Sequence, residues 1–92
     1  MYELRLYVVG HKPNTLRAID NLRMLLEQRL KGHYSLQVFD LLENPQLAED
    51  DKILATPTLV KSLPLPAKRV VGDFRDGEKV LIELGLIDRK EG

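Results

Sequence analysis

Apolar and polar positions alternate from Glu3 to Val9, with Leu4, Leu6 and Val8 on one side of an extended chain and Tyr7 and Val9 on the other. A period of two with apolar residues on both sides near its end predicts a strand covered on both faces. Gly10-His11-Lys12-Pro13 reads as a turn, and Asn14 or Thr15 is placed to cap a helix. The period then changes. Leu16, Ile19, Leu22, Leu26 and Leu30 recur at helical spacing, and Arg17, Arg23, Glu27 and Lys31 fall largely off that stripe. Lys31 near the end suits the helix dipole, and Gly32 serves as a C-cap. Alternation returns over Tyr34–Asp40, a second strand.

Strand, long helix and strand in so few residues make a βαβ unit, with parallel strands and a right-handed crossover. Asn44-Pro45 pairs a capping residue with a proline at the first helical position, so Pro45 to Leu54 reads as a short helix with Glu49, Asp50 and Asp51 at its middle. Thr58-Leu59-Val60 is β-branched and apolar, a buried strand. Pro57 stands at its first position, where no interior ladder bond is lost, and it forces the helix to stop before Thr56. The Thr56-Pro57 bond is a candidate for the cis isomer. Many proteins with such a corner hold a partner or substrate there.

Leu63-Pro64-Leu65-Pro66 is a loop or stiff edge, and its two leucines are either core plugs, the favoured reading, or exposed anchors. Ala67–Val71 reads as a short strand and Gly72-Asp73 as a turn. A last helix from Asp73 or Phe74 would place Phe74, Val80, Leu81 and Leu84 on an approximate stripe. Val80 to Ile87 also alternates as a strand would. Glu83 and Gly85 favour the helix: Glu83 is a helix former, and Gly85 is placed to close a helix and would weaken a strand. The charged tail from Asp88 to Gly92 is expected to fray. The element order is β-α-β-α-β-β-α in one domain, residues 1–92. It implies a mixed four-stranded sheet with helices on both faces, an α/β arrangement that looks thioredoxin-like.

Composition narrows the chemistry. Fourteen basic and fourteen acidic residues balance, so no long-range field favours nucleic acid or an anionic membrane. There is no cysteine, which removes disulfides, thiolate nucleophiles and thiol redox chemistry together. The absence of a signal-like start leads to the expectation of a soluble cytoplasmic protein. His11 and His33 both lie in turns, far apart, and read as surface residues; no metal site and no cofactor is expected. Thr15 has no obvious base and reads as a cap. Gly10 to Thr15 lacks the second glycine and the Lys-Ser/Thr of a phosphate loop. The acidic run Glu49-Asp50-Asp51 is either a solvated face or a rim for a basic partner. Lys61, Lys68 and Arg69 either protect a sheet edge or form the other half of a docking surface.

Longer motifs carry a family resemblance. Leu6 to Asn14 (Leu-Tyr-Val-x-Gly-x-x-Pro-Asn), the run from Asn44 to Leu59, the Leu63 to Pro66 turn, Val71-Gly72-Asp73 and Glu78 to Ile82 resemble the KaiB circadian clock family over nearly the whole chain. The sensor domain of the kinase SasA is a weaker match. The resemblance implies a binding role without catalysis: docking on the N-terminal ATPase ring of KaiC, sequestration of KaiA and competition with SasA. It also implies two folds. One is a thioredoxin-like binding state. The other is a ground state with a rearranged C-terminal half that forms dimers and tetramers.

By position, Arg17, Lys52, Lys61, Lys68 and Arg69 match basic family positions tied to docking or clock function. Pro45 to Leu54 matches the helix that meets the ring, which brings in Gln46, Leu47, Asp50 and Ile53, with Ala55 just beyond. Pro57, Glu83 and Gly85 are the positions expected to bear on fold choice. The family has Gly-Leu-Asp where this chain has Glu83-Leu84-Gly85, a change that favours a terminal helix and therefore a monomeric thioredoxin-like state. The alternative function is that of a paralogue in stress signalling, binding a kinase-type partner without an oscillator.

Overall fold

The computed structural model describes residues 1–88. Four strands, β1 (Tyr2–Val8), β2 (Tyr34–Asp40), β3 (Thr58–Leu63) and β4 (Lys68–Val71), form one sheet in the order β2-β1-β3-β4. β1 and β2 are parallel, with Leu4 opposite Leu36 and Leu6 opposite Val38. β3 runs antiparallel to β1, and β4 antiparallel to β3. Three helices complete the order: α1 (Pro13–Arg29), α2 (Gln46–Asp50) and α3 (Gly77–Glu83). The expected mixed sheet with helices on both faces is the observed one.

Alternation along the strands separates two cores. Leu4, Leu6, Val8, Leu59 and Val70 meet Ala18, Leu22, Leu25 and Leu26 of α1 and Val80, Leu81 and Leu84 from α3. On the other face Tyr7, Phe39 and Val60 meet Leu41, Leu47, Ala48 and Ile53 around α2. The Tyr7 and Phe39 rings stack at 5.4 Å between centroids. A five-residue helix is too short to hold itself together and depends on that packing.

Several local expectations shift. The N-cap of α1 is Lys12, and neither Asn14 nor Thr15. Pro13 takes the first helical position, where its missing N–H costs nothing. The buried stripe of α1 runs through Ala18, Leu22, Leu25 and Leu26, leaving Leu16 and Met24 exposed. Leu63 and Leu65 are exposed as well, because they stand where the chain leaves the end of β3 and turns toward β4, beyond the residues that pack in either core. α2 starts one residue after Pro45 and stops at Asp50, short of Leu54.

The final segment is a helix. Asp76 caps it, its Oδ1 accepting the Lys79 N–H at 3.1 Å. At the other end Gly85 adopts φ +75°, with its N–H on the Ile82 carbonyl and the Leu86 N–H on Leu81. That pairing closes the last turn in a left-handed conformation that glycine takes without strain. Phe74 also has a left-handed φ, +61°, unusual for a bulky residue, and is buried in the larger core. The loop is held there by Asn21, whose Nδ2 donates to the Asp73 carbonyl at 3.1 Å. The charged tail beyond Asp88 lies outside the described residues. No helix is long and apolar enough to cross a membrane among the described residues.

Candidate protein-docking surface

Several hydrogen bonds tie down the corner where α2 returns to the sheet. Tyr7 is buried, and its hydroxyl donates to the Asp51 carboxylate at 2.5 Å. Burial, then the Asp51 hydrogen bond, push the Tyr7 hydroxyl above its ordinary pKa, against a smaller opposing effect of Arg5. The helix is closed by Lys52 in a left-handed conformation, φ +53°. The Ile53 N–H reaches back to the Ala48 carbonyl at 2.8 Å, and the Lys52 N–H to Glu49 at 3.3 Å. This is the same closing pattern that Gly85 gives α3, made here by a residue with a side chain. From the edge strand Arg69 donates to the carbonyls of Lys52 and Asp51, at 2.9 and 2.5 Å. Those carbonyls belong to the unsatisfied end of α2, so the guanidinium acts as a cap supplied from across the sheet.

Beyond Ile53, which is buried, the chain turns outward. Leu54 is 97% exposed, an isolated apolar side chain on a turn held on both sides. The Thr58 hydroxyl donates to the Ala55 carbonyl at 2.6 Å and secures the entry to β3. The Thr56-Pro57 bond is cis, the isomer for which it is a candidate on sequence grounds. Beside it, an open groove of about 660 Å³ runs between Arg17, Ala18 and Asn21 of α1, Thr56 and Arg75. Asp73, also on its wall, is held below the ordinary carboxylate range by the backbone N–H and guanidinium of Arg75.

The residues singled out from sequence separate into groups. Gln46, Asp50, Lys52 and Ala55 are exposed together around α2 and its loop, with Leu47 half-buried beneath them. Gln46 Nε2 donates to Asp50 Oδ1 at 3.0 Å, so the two share one face of the helix. Ile53 is an anchor for that helix and does not face outward. Arg69 is committed to the α2 carbonyls. Arg17 lies apart, on the groove wall. Lys61 is 4% exposed, on the core face that carries Leu59 and Val70. Lys68 is opposite it on β4, near Gly85 of the α3 end. Leu54 closes the Pro45 to Leu54 run but is not singled out from the sequence, although an apolar residue stranded between a helix end and a proline is a readable sign of exposure.

The fold defines a thioredoxin-like domain without any sulfur nucleophile, since the chain has no cysteine. The family described as KaiB domain matches residues 5–86, so the chain belongs to the KaiB family, non-enzymatic regulators of the circadian clock. It is 58% identical over 86 residues to the circadian clock oscillator protein KaiB of Synechococcus elongatus, covering 94% of this chain and 84% of that one. The corresponding protein of Trichodesmium erythraeum is 57% identical over 94% of this chain and 83% of its own length. Among solved structures, the N-terminal domain of Synechococcus elongatus SasA superposes with a TM-score of 0.75 at 24% identity, covering 98% of this chain and 89% of that one. Chloroplastic thioredoxin z superposes with a TM-score of 0.71 at 23% identity, over 92% of this chain and 76% of its own. Both share the fold.

Proposed function

We propose that this chain works as a clock component by docking, through α2 and the loop to Ala55, onto the N-terminal ATPase ring of KaiC. There it helps to hold KaiA and competes with SasA for the ring. One observation carries the placement. The inner side of this corner is fixed by Tyr7, Ile53 and Arg69, while Gln46, Asp50, Lys52, Leu54 and Ala55 stand exposed on its outer side. A surface already held in shape loses little entropy on binding. An exposed leucine ringed by polar side chains has the composition of an interface core with its rim. SasA has a domain of the same fold, which fits competition for one site.

The test is the affinity of Leu54→Asp and Lys52→Glu for the KaiC ring, measured by biolayer interferometry. Both substitutions fall on exposed side chains, so each should leave folding intact and weaken binding at least tenfold. Unchanged affinity in both rules out this surface. Lys61→Glu is a poor probe, because Lys61 is buried, and exchanging its long cationic side chain for a shorter anionic one would disturb the packing around it.

A further inference from the structure

The loops after β1 and β2 meet beyond the carboxyl ends of two parallel strands, the end at which open α/β sheets place ligands. Asp40, the last residue of β2, stands between them. Its Oδ1 accepts the N–H of Gly10 at 3.0 Å and of Leu42 at 2.9 Å, and its side chain is only 10% exposed. Those two bonds fix the carboxylate. Its other oxygen, Oδ2, is 3.5 Å from Nε2 of His11, a side chain 74% exposed.

That separation is longer than a good N–H···O hydrogen bond, roughly 2.7–3.2 Å. It is close to the ~3.3 Å edge of a tetrahedron built on zinc bonds of about 2.0–2.1 Å. Glu43 supplies a third donor. Its N–H bonds the Asp40 carbonyl at 3.0 Å, and this turn brings its carboxylate round to the strand end. His11, Asp40 and Glu43 each offer a ligand atom, and these atoms all lie within 4.8 Å of one another.

We infer that His11, Asp40 and Glu43 form a binding site for a divalent transition-metal ion of the Zn²⁺ type, with water completing its coordination. One imidazole nitrogen and two carboxylates suit a borderline ion. Mg²⁺ and Ca²⁺ prefer six or more oxygens, and two carboxylates supply too few. The backbone bonds to Asp40 Oδ1 are the kind of outer support that orients a ligating carboxylate. Asp40 alone could be explained as a clasp between two loops. An exposed imidazole beside its free oxygen, with the exposed Glu43 carboxylate within 4.8 Å, is what the clasp leaves unexplained.

The test is a calorimetric titration of the chain with Zn²⁺, paired with amide NMR. One ion per chain is expected, with shifts centred on Gly10, His11 and Leu42. His11→Ala and Glu43→Gln should each weaken binding about tenfold or more. Both residues are exposed, so circular dichroism should report an unchanged fold. His33→Ala should leave the affinity unaltered, because His33 precedes β2 at the opposite end of the sheet, and Mg²⁺ should not compete. Absence of saturable Zn²⁺ binding below roughly 1 mM, wild-type affinity in His11→Ala, or shifts centred on His33 would each overturn the assignment. None of these measurements involves the KaiC ring, so they stand or fall apart from the docking surface.

Discussion

Arg69 on the edge strand and Lys52 at the end of α2 are joined by a 2.9 Å hydrogen bond from guanidinium to carbonyl, across a separation of 17 residues in the chain. A second guanidinium nitrogen takes the neighbouring Asp51 carbonyl. The edge strand thereby holds the end of a helix too short to be stable by itself. Arg69→Ala should cost about 1–2 kcal/mol, the range of a pair of partly exposed, charge-assisted bonds. Chemical denaturation measures the loss. Hydrogen exchange should localise it, with the Lys52 and Ile53 amides exchanging faster while those of β1 hold. Uniform acceleration across the sheet would argue against a local cap.

Tyr7 gives the corner a dependence on alkaline pH. Its folded-state pKa is raised above the ordinary value near 10. The folded protein thus holds the phenolic proton more tightly than the unfolded chain does. The contribution is complete below the unfolded pKa and disappears as pH rises through the folded one. Tyr7→Phe should lose about 1–2 kcal/mol at neutral pH. Stability curves of wild type and variant should converge above pH 10, once unfolding is followed across that range. A constant gap between them would reject the linkage.

Lys52 sits in a conformation that glycine accepts more readily. Lys52→Gly should therefore stabilise the chain, or at worst leave it unchanged, with a gain of up to ~1 kcal/mol. The same variant separates stability from recognition. If the ammonium group touches the KaiC ring, binding should fall as melting temperature rises. Binding that follows stability upward would mean that Lys52 serves only the backbone turn.

We propose that Glu83 and Gly85 bear on which of the two folds expected from the family resemblance the chain occupies. Glu83→Gly places a glycine in α3, at a cost of up to ~1 kcal/mol. Gly85→Asp puts a side chain at φ +75°, a further cost of about 1 kcal/mol. Two packings of one sequence can differ by only a few kcal/mol. The double variant should therefore lose helical amide shifts over Glu78–Leu84 and gain mass by light scattering. The unaltered chain is expected to be a monomer with helical shifts there. Strand shifts and a tetramer mass in the unaltered chain would contradict that expectation.

Much of the architecture was legible because it is written in short-range terms. Alternation in Leu4 to Val8, helical spacing through Leu22 and Leu26, and the Asn44-Pro45 and Thr56-Pro57 punctuation place the elements within a few residues. The ambiguity between helix and strand at Val80–Ile87 was settled in the structure by Asp76 and Gly85, two caps that periodicity does not register. The surface was less legible. Lys61 and Arg69 are both basic residues on neighbouring strands. One is buried on the α1 side, and the other caps a helix on the α2 side. A difference of one in strand parity decides the face. His11, Asp40 and Glu43 read as unrelated residues until the parallel pairing of β1 with β2 brings their loops together.

Sequence by itself determined the element types, the absence of cysteine chemistry and the family. Each depends on residue identity or on intervals of a few positions. Only the tertiary structure decided which charges are free, which are buried and which serve as caps. That outcome depends on register between strands tens of residues apart, where a hydrogen-bond ladder, and not local preference, chooses the neighbour.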